Sequence, residues 1–186
     1  MFSECICEMN IIFLDIDGVF VTHRSFIGSR VKASGMRSEF DPIAMEMVRK
    51  LCVNSPAKIV ISSVWRKISV LETGTGSKNM LFNQFIEAGL SEHIFMPAWR
   101  TVDLWSMMKI ESIDPFGPVD PTHPTRGDEI ARWLGFNGEN VKNYCIIDDD
   151  YDFSEDQKKN HFVHTDMNEG FLYCHYLKAK EILEKP

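Results

Sequence analysis

Short, almost unbroken apolar runs recur along the chain, and each stops abruptly at polar residues. Asn10 to Leu14 (NIIFL) runs into Asp-x-Asp-Gly, Lys58 to Ile61 (KIVI) into Ser62-Ser63, and Tyr144 to Ile147 (YCII) into Asp148-Asp149-Asp150. Continuous rather than alternating hydrophobicity is the pattern of a strand covered on both faces, as in a parallel sheet. His93 to Met96 and His161 to His164 are predicted as two further strands. Helical spacing fills the intervals. Asp41 as N-cap and Pro42 at the first helical position open a helix with Ile43, Met47, Val48, Leu51 and Cys52 as its buried face. Met80 to Ala88 reads as a helix through Leu81, Phe82, Phe85 and Ile86, closed by Gly89. Thr125 with Asp128 forms a capping-box pattern ahead of an inner face of Ile130, Trp133 and Leu134, and Gly170 to Leu183 is amphipathic. Strands alternating with helices imply an α/β fold with a central parallel sheet and right-handed crossovers.

Two connections do not fit the usual lengths. The polar, glycine-containing stretch Thr22 to Glu39 is too long for a simple link and predicts a small flap, about residues 20–40, over a strand end. Residues 97–124 combine Trp99, Arg100, Trp105 and His123 with Pro115, Pro118, Pro121 and Pro124, and predict an irregular insertion. Residues 1–8, ahead of the first strand, are expected to be either a dispensable leader or the result of an upstream start, leaving one domain over residues 9–186. With 186 residues and 44% hydrophobic composition, the chain can bury one sizeable core.

The formal charge of −7 argues against a broad electrostatic grip on nucleic acid, though not against a substrate that offers only one end. Several of the acids cluster in Asp15 to Asp17 and Asp148 to Asp152, where a divalent cation would offset them. Five cysteines without a disulfide framework fit a reducing cytosol. Cys5 and Cys7 form only a C-x-C, and with His161 and His164 they do not make a zinc pattern. No apolar stretch reaches the roughly 18–20 residues of a membrane span. Met1 to Met9 lacks the basic start and hydrophobic run of a signal peptide. A cytoplasmic protein without a membrane or obligate protein partner is expected.

In a parallel sheet the carboxyl ends of all strands lie on one edge, and ligands bind there where strand order reverses. Asp15 and Asp17, Ser62 and Ser63, and Asp148 and Asp149 are therefore candidates to converge. Arg126, at the start of the helix before the fourth run, adds a cation. Carboxylates from separate loops make an oxygen cage for Mg²⁺. Once the charge is screened, Asp15 can attack phosphorus and form an aspartyl-phosphate. Asp17 is then placed to protonate the leaving oxygen and later to deprotonate water. Ser62 and Arg126 would hold the phosphate oxygens, with Ser63 and Arg66 as further substrate contacts. Trp65 is expected to pack in the core. Trp99 and Trp105 offer either core packing or a stacking surface for a base.

These four elements, in order and each in its setting, resemble the motifs of the haloacid dehalogenase (HAD) superfamily over Asn10 to about Asp152. The resemblance implies a Rossmann-like (HAD-like) three-layer sandwich with only a small flap or insertion as cap. It also implies that a dehalogenase would lack the second acid, so Asp17 favours a phosphatase. The wording IVISSVWR, TRGDEIARWL and YCIIDDDYDF is similar to the HAD domain of Swiss-army-knife RNA repair proteins. That closer similarity implies removal of phosphate from nucleotides or nucleic-acid ends, as in polynucleotide 3'-phosphatases. It further implies substrate binding by Gly18 of the first motif, and metal ligation by Asp15, the Asp17 carbonyl and a fourth-motif acid. Asp149 is favoured as that acid with Asp148 as its neighbour, and the reverse order stays open.

An Asp-x-Asp-Gly sequence alone is commonly a turn, and Ser62 alone could simply end a strand. A calcium loop is excluded because Gly18 comes too early and no glutamate completes the pattern. Two other functions remain open: a phosphatase for a sugar phosphate, another small metabolite or a phosphoprotein, and a non-catalytic binding module on the same fold. Asp150 and Asp152 are equally well read as a solvated acidic turn.

Overall fold

The computed structural model describes residues 8–28, 40–68, 80–107 and 124–186. Four strands, β1 (Met9–Leu14), β2 (Ala57–Ile61), β3 (Val141–Asp148) and β4 (Phe162–His164), form one sheet in the order β2-β1-β3-β4. Every pairing is parallel, with Leu14 opposite Ile61 on one side and Ile147 on the other. Eight helices accompany it among the described residues: α1 (His23–Gly28), α2 (Pro42–Asn54), α3 (Trp65–Ile68), α4 (Met80–Glu87), α5 (Leu104–Met107), α6 (Arg126–Asn137), α7 (Glu155–Asn160) and α8 (Tyr173–Leu183).

Side-chain alternation along β1 explains why its run has no polar break. Ile12 and Leu14 face a cluster with Val48 and Leu51 of α2 and Ala179 and Ile182 of α8. Ile11 and Phe13 face a second cluster with Ile130 and Trp133 of α6, where the Phe13 and Trp133 rings meet edge to face at 5.3 Å. The sheet is thus sandwiched between helices. Burying each such Ile, Leu or Phe contributes about 1.5–3 kcal/mol, so the strand that leads into Asp15 is firmly held. The chain leaves β1 for β2 on one side and later returns to place β3 on the other, which makes the β1/β3 carboxyl ends the point of order reversal.

Local capping follows the sequence. Asp41 accepts from the N–H groups of Ile43 and Ala44, Thr125 and Asp128 complete a capping box, and Gly89 takes a positive φ of 67° after α4. The described part of the flap region holds α1, whose Arg24 pairs with Asp41 and Glu169. The rest of that flap, the leader with Cys5 and Cys7, most of the irregular insertion, the Trp105 side chain and His123 lie outside the described residues. Among the described residues no helix is long and apolar enough to cross a membrane.

Three expectations are corrected. His93 to Met96 is not a strand. Ser91–His93 is a 3₁₀ turn, and only isolated bridges from Ile94 and Arg100 reach β2. Pro97 lies between those bridges and has no N–H to give a ladder. In α2 the buried stripe is Ala44, Met45, Val48, Leu51 and Cys52, while Ile43 is 68% exposed and Met47 only partly buried. The N–H of the buried Asp41 donates to the Phe20 carbonyl, and this anchor sets the rotation of the first turn. Ile86 is exposed because α4 presents only a narrow face, through Leu81, Phe82 and Phe85, to the core.

Candidate active site

The ladder continues just past the strand ends and fixes the loops that leave them. The N–H of Asp15 donates to the Ile147 carbonyl at 3.0 Å and that of Ser62 to the Leu14 carbonyl at 2.9 Å. Side chains from three loops therefore start from a rigid edge. Arg126, in the first turn of α6, reaches across it: Nη1 lies 3.1 Å from Asp15 Oδ1, 3.0 Å from Asp148 Oδ2 and 2.7 Å from the Ser62 carbonyl. A cation in the first turn opposes the helix dipole, and here two buried carboxylates offset that cost. The acidic stretch contributes to the placement, since both Asp152 oxygens accept the Arg126 N–H at 3.1 Å.

Asp15 and Asp148 are 4% and 1% exposed. Burial raises the pKa of Asp15 above the usual carboxylate range, against the lowering effects of Arg126, the Ser63 hydroxyl and the Ile16 N–H. Asp148 is raised by burial and then by the Asp15 charge, with Arg126 again opposing. Burial also raises Asp149, which is only partly covered. Desolvation works against the charge of Arg126, but Asp148 and Asp15 outweigh it and push its pKa up. One guanidinium thus faces more negative charge than it neutralises. Carboxylate oxygens of Asp15, Asp148 and Asp149 all lie within 4.8 Å of one another. An all-oxygen, net-negative cluster of this size suits a hard divalent cation such as Mg²⁺.

The side chain of Asp17 is not part of that cluster. Its Oδ2 accepts from the indole Nε1–H of Trp65 at 3.0 Å. Gly18 lets Asp149 in: at φ 68° a Cβ there would lie 2.2 Å from Asp149 Cγ. Gly18→Ala must therefore displace the Asp149 carboxylate. Misplacement by an ångström commonly costs on the order of 10²-fold, and a loss of that size in kcat is expected from steady-state assay of G18A, with the fold retained by circular dichroism.

Of the two serines, Ser63 is the one whose hydroxyl bonds Asp15. Ser62 presents its carbonyl to Arg126, and its own Oγ is buried with no partner. Arg66, expected as a substrate contact, is engaged in a buried ion pair. It is 6% exposed, with Nη2 at 2.7 and 2.9 Å from the two Glu129 oxygens and Nη1 bonded to the Ser63 carbonyl. An unpaired guanidinium at that depth would be costly, and Glu129, one turn beyond Arg126 on α6, supplies its partner. Trp99 is a core residue rather than an open stacking surface, 8% exposed and edge-on to Phe82 at 5.0 Å.

Two contributions were not anticipated from sequence. Glu129 ties α6 to the turn after β2 and also accepts the Leu104 N–H; its position three residues after Arg126 was the available signal. His164, at the end of β4, bridges the Asp149 carbonyl and the Tyr151 hydroxyl, both at 3.0 Å. A carbonyl only accepts, so the neutral ring carries its proton on Nε2 and receives the Tyr151 hydroxyl proton at Nδ1. His161 bonds the Tyr144 carbonyl and stacks on that ring, away from any ligand cluster.

No curated protein and no solved structure matches the chain. The family model described as "HAD domain in Swiss Army Knife RNA repair proteins" matches residues 11–173, which takes in β1 through the start of α8 and every residue of the site. The parallel sheet, the acids at the β1 and β3 ends and that match together assign the chain to this family of HAD domains.

Proposed function

We propose that this HAD-type phosphatase is a Mg²⁺-dependent phosphomonoesterase that forms a phosphoryl intermediate on Asp15 and acts on the terminal phosphate of a nucleotide or nucleic-acid end. The observation that carries the chemistry is the pairing of two acids with different surroundings. Asp15 is buried against Arg126 and Ser63, and Asp17, outside the three-acid group, accepts from Trp65.

Asp15, Asp149 and the Asp17 carbonyl would hold the metal. Asp148 has Oδ1 bonded to the Asp150 N–H and Oδ2 to Arg126, which favours Asp149 as the direct ligand. Bound there, Mg²⁺ supplies the positive charge that lets a phosphate dianion approach a carboxylate. An Asp15 oxygen attacks phosphorus; the P–O ester bond breaks, and its electron pair stays on the leaving oxygen, which takes the proton of Asp17. Water then attacks the same phosphorus and gives its proton to Asp17. The P–O bond to Asp15 breaks, and inorganic phosphate leaves with the carboxylate restored. Arg126 and the hydroxyls of Ser62 and Ser63 would hold the oxygens on which charge accumulates.

The substrate class rests on the family description. Phosphate release from mononucleotides and from 3'- and 5'-phosphorylated oligonucleotides, with sugar phosphates and phosphopeptides alongside, tests it. Mg²⁺-dependent release from nucleotides or oligonucleotides is expected. Preference for a sugar phosphate or phosphopeptide overturns the substrate class, and silence on the whole panel leaves a binding module.

A further inference from the structure

The indole of Trp65 is half-buried against the core, and its N–H points at Asp17, the acid outside the Asp15, Asp148 and Asp149 group. Nε1 donates to Asp17 Oδ2 at 3.0 Å. The ring is held from behind, because its face meets Phe40 edge to face at 5.5 Å and Phe40 in turn stacks on Phe20 at 5.8 Å. The backbone adds a second tie: the Trp65 N–H lies 3.4 Å from the Ser63 hydroxyl, which bonds Asp15. One short turn therefore touches both acids of the reaction.

We propose that Trp65 is a positioning residue that orients Asp17 for proton transfer. This rests on Asp17 being the general acid and base. An indole N–H only donates, so it can neither accept nor relay the proton. Its bond to Oδ2 survives in both protonation states of Asp17 and leaves Oδ1 to carry the proton. In the first transfer that proton moves from Oδ1 to the leaving oxygen as the P–O bond breaks. Without the N–H, Asp17 is free to turn about its side-chain bonds, and a smaller fraction of encounters has the proton aimed at the ester oxygen.

The consequence depends on the leaving group. An alkoxide, such as a ribose oxygen, needs the proton; a nitrophenolate departs without it. kcat/KM reports only the steps through departure of the leaving group, so the second step, common to all substrates, does not enter. In Trp65→Phe an aromatic ring is kept, smaller by the pyrrole part, and the donor is lost. For a nucleoside monophosphate, kcat/KM is expected to fall about tenfold, a part of the roughly 10²–10⁴ that general acid catalysis contributes, with a much smaller fall for p-nitrophenyl phosphate. The ratio of the two values from one preparation is independent of the active fraction, so partial misfolding does not mimic the effect. If Trp65→Phe yields no folded protein, benzothienylalanine at position 65 keeps the bicyclic ring and replaces N–H with sulfur. Equal proportional losses on the two substrates, or none on either, overturn the proposal. Asp17→Asn separates it from the reading beneath it: Asp17→Asn must show the same discrimination more strongly, and if it shows none, Asp17 is not the acid.

Discussion

Asp15→Asn is expected to reduce kcat by at least about 10⁴-fold, the scale seen when a nucleophile is removed from a concerted set, while the metal-free protein becomes harder to melt. The two effects share one cause. The Asp15 carboxylate is buried, and its pKa is raised to about 6 from 3.8, chiefly by desolvation. The folded state therefore holds the charge at a cost, on the order of 3 kcal/mol above pH 7 from a shift of this kind. Asn keeps a carbonyl to accept from Arg126, and Asp148 remains as that residue's other partner. For a chain of this size each kcal/mol moves Tm by roughly 2–4 °C. A gain in Tm for the metal-free variant at pH 8, read by calorimetry, is the expected result; a fall would show that the carboxylate stabilises the fold.

Chelation of the metal is expected to abolish turnover, and Mg²⁺ affinity to rise with pH. A carboxylate whose folded pKa is raised binds more protons folded than unfolded in the window between the two values, so stability falls as pH rises through it. For the metal-free protein that window runs from 3.8 to about 6 for Asp15 and to about 8 for Asp148, both raised first by desolvation. A divalent cation requires the ionised form, so its binding near neutrality displaces protons. Titration calorimetry in buffers of different ionisation enthalpy should record proton release on Mg²⁺ addition at pH 6.5 and less at pH 8.5. The stabilisation by Mg²⁺ should be greater at the higher pH. Among the described residues, Arg126 is the guanidinium that bonds both Asp15 and Asp148 and eases their repulsion.

Asp15 and Asp149 are distant in sequence, yet their meeting was legible, because a parallel sheet sends every strand end to the same edge whatever the length of the return connection. Capping was legible for a similar reason: Asp41-Pro42 and Thr125 to Asp128 act within one turn. What escaped were contacts set by how one helix crosses another. Trp65 carries an apolar ring, and its bond to Asp17 depends on the angle at which the turn after β2 passes over the first loop. Arg66 looked like a free cation beside a phosphate site, but its partner Glu129 lies on a different helix and buries it. Ser62 and Ser63 differ by one residue, and only the course of the backbone beyond the strand decides that Ser63 turns its hydroxyl to Asp15. The supposed strand at His93 to Met96 runs straight into Pro97, which periodicity weighs too lightly against the three apolar positions Ile94 to Met96.

The chemistry proposed for Asp15 can be trapped. Wild-type protein mixed with substrate and Mg²⁺, quenched in acid within one turnover and digested, should yield a peptide spanning residue 15 that carries one phosphoryl group. Borohydride should then reduce that acyl phosphate to homoserine at position 15. Substrate consumption at full rate with an unmodified Asp15, or a phosphoryl group found on another residue, would contradict nucleophilic attack by this carboxylate.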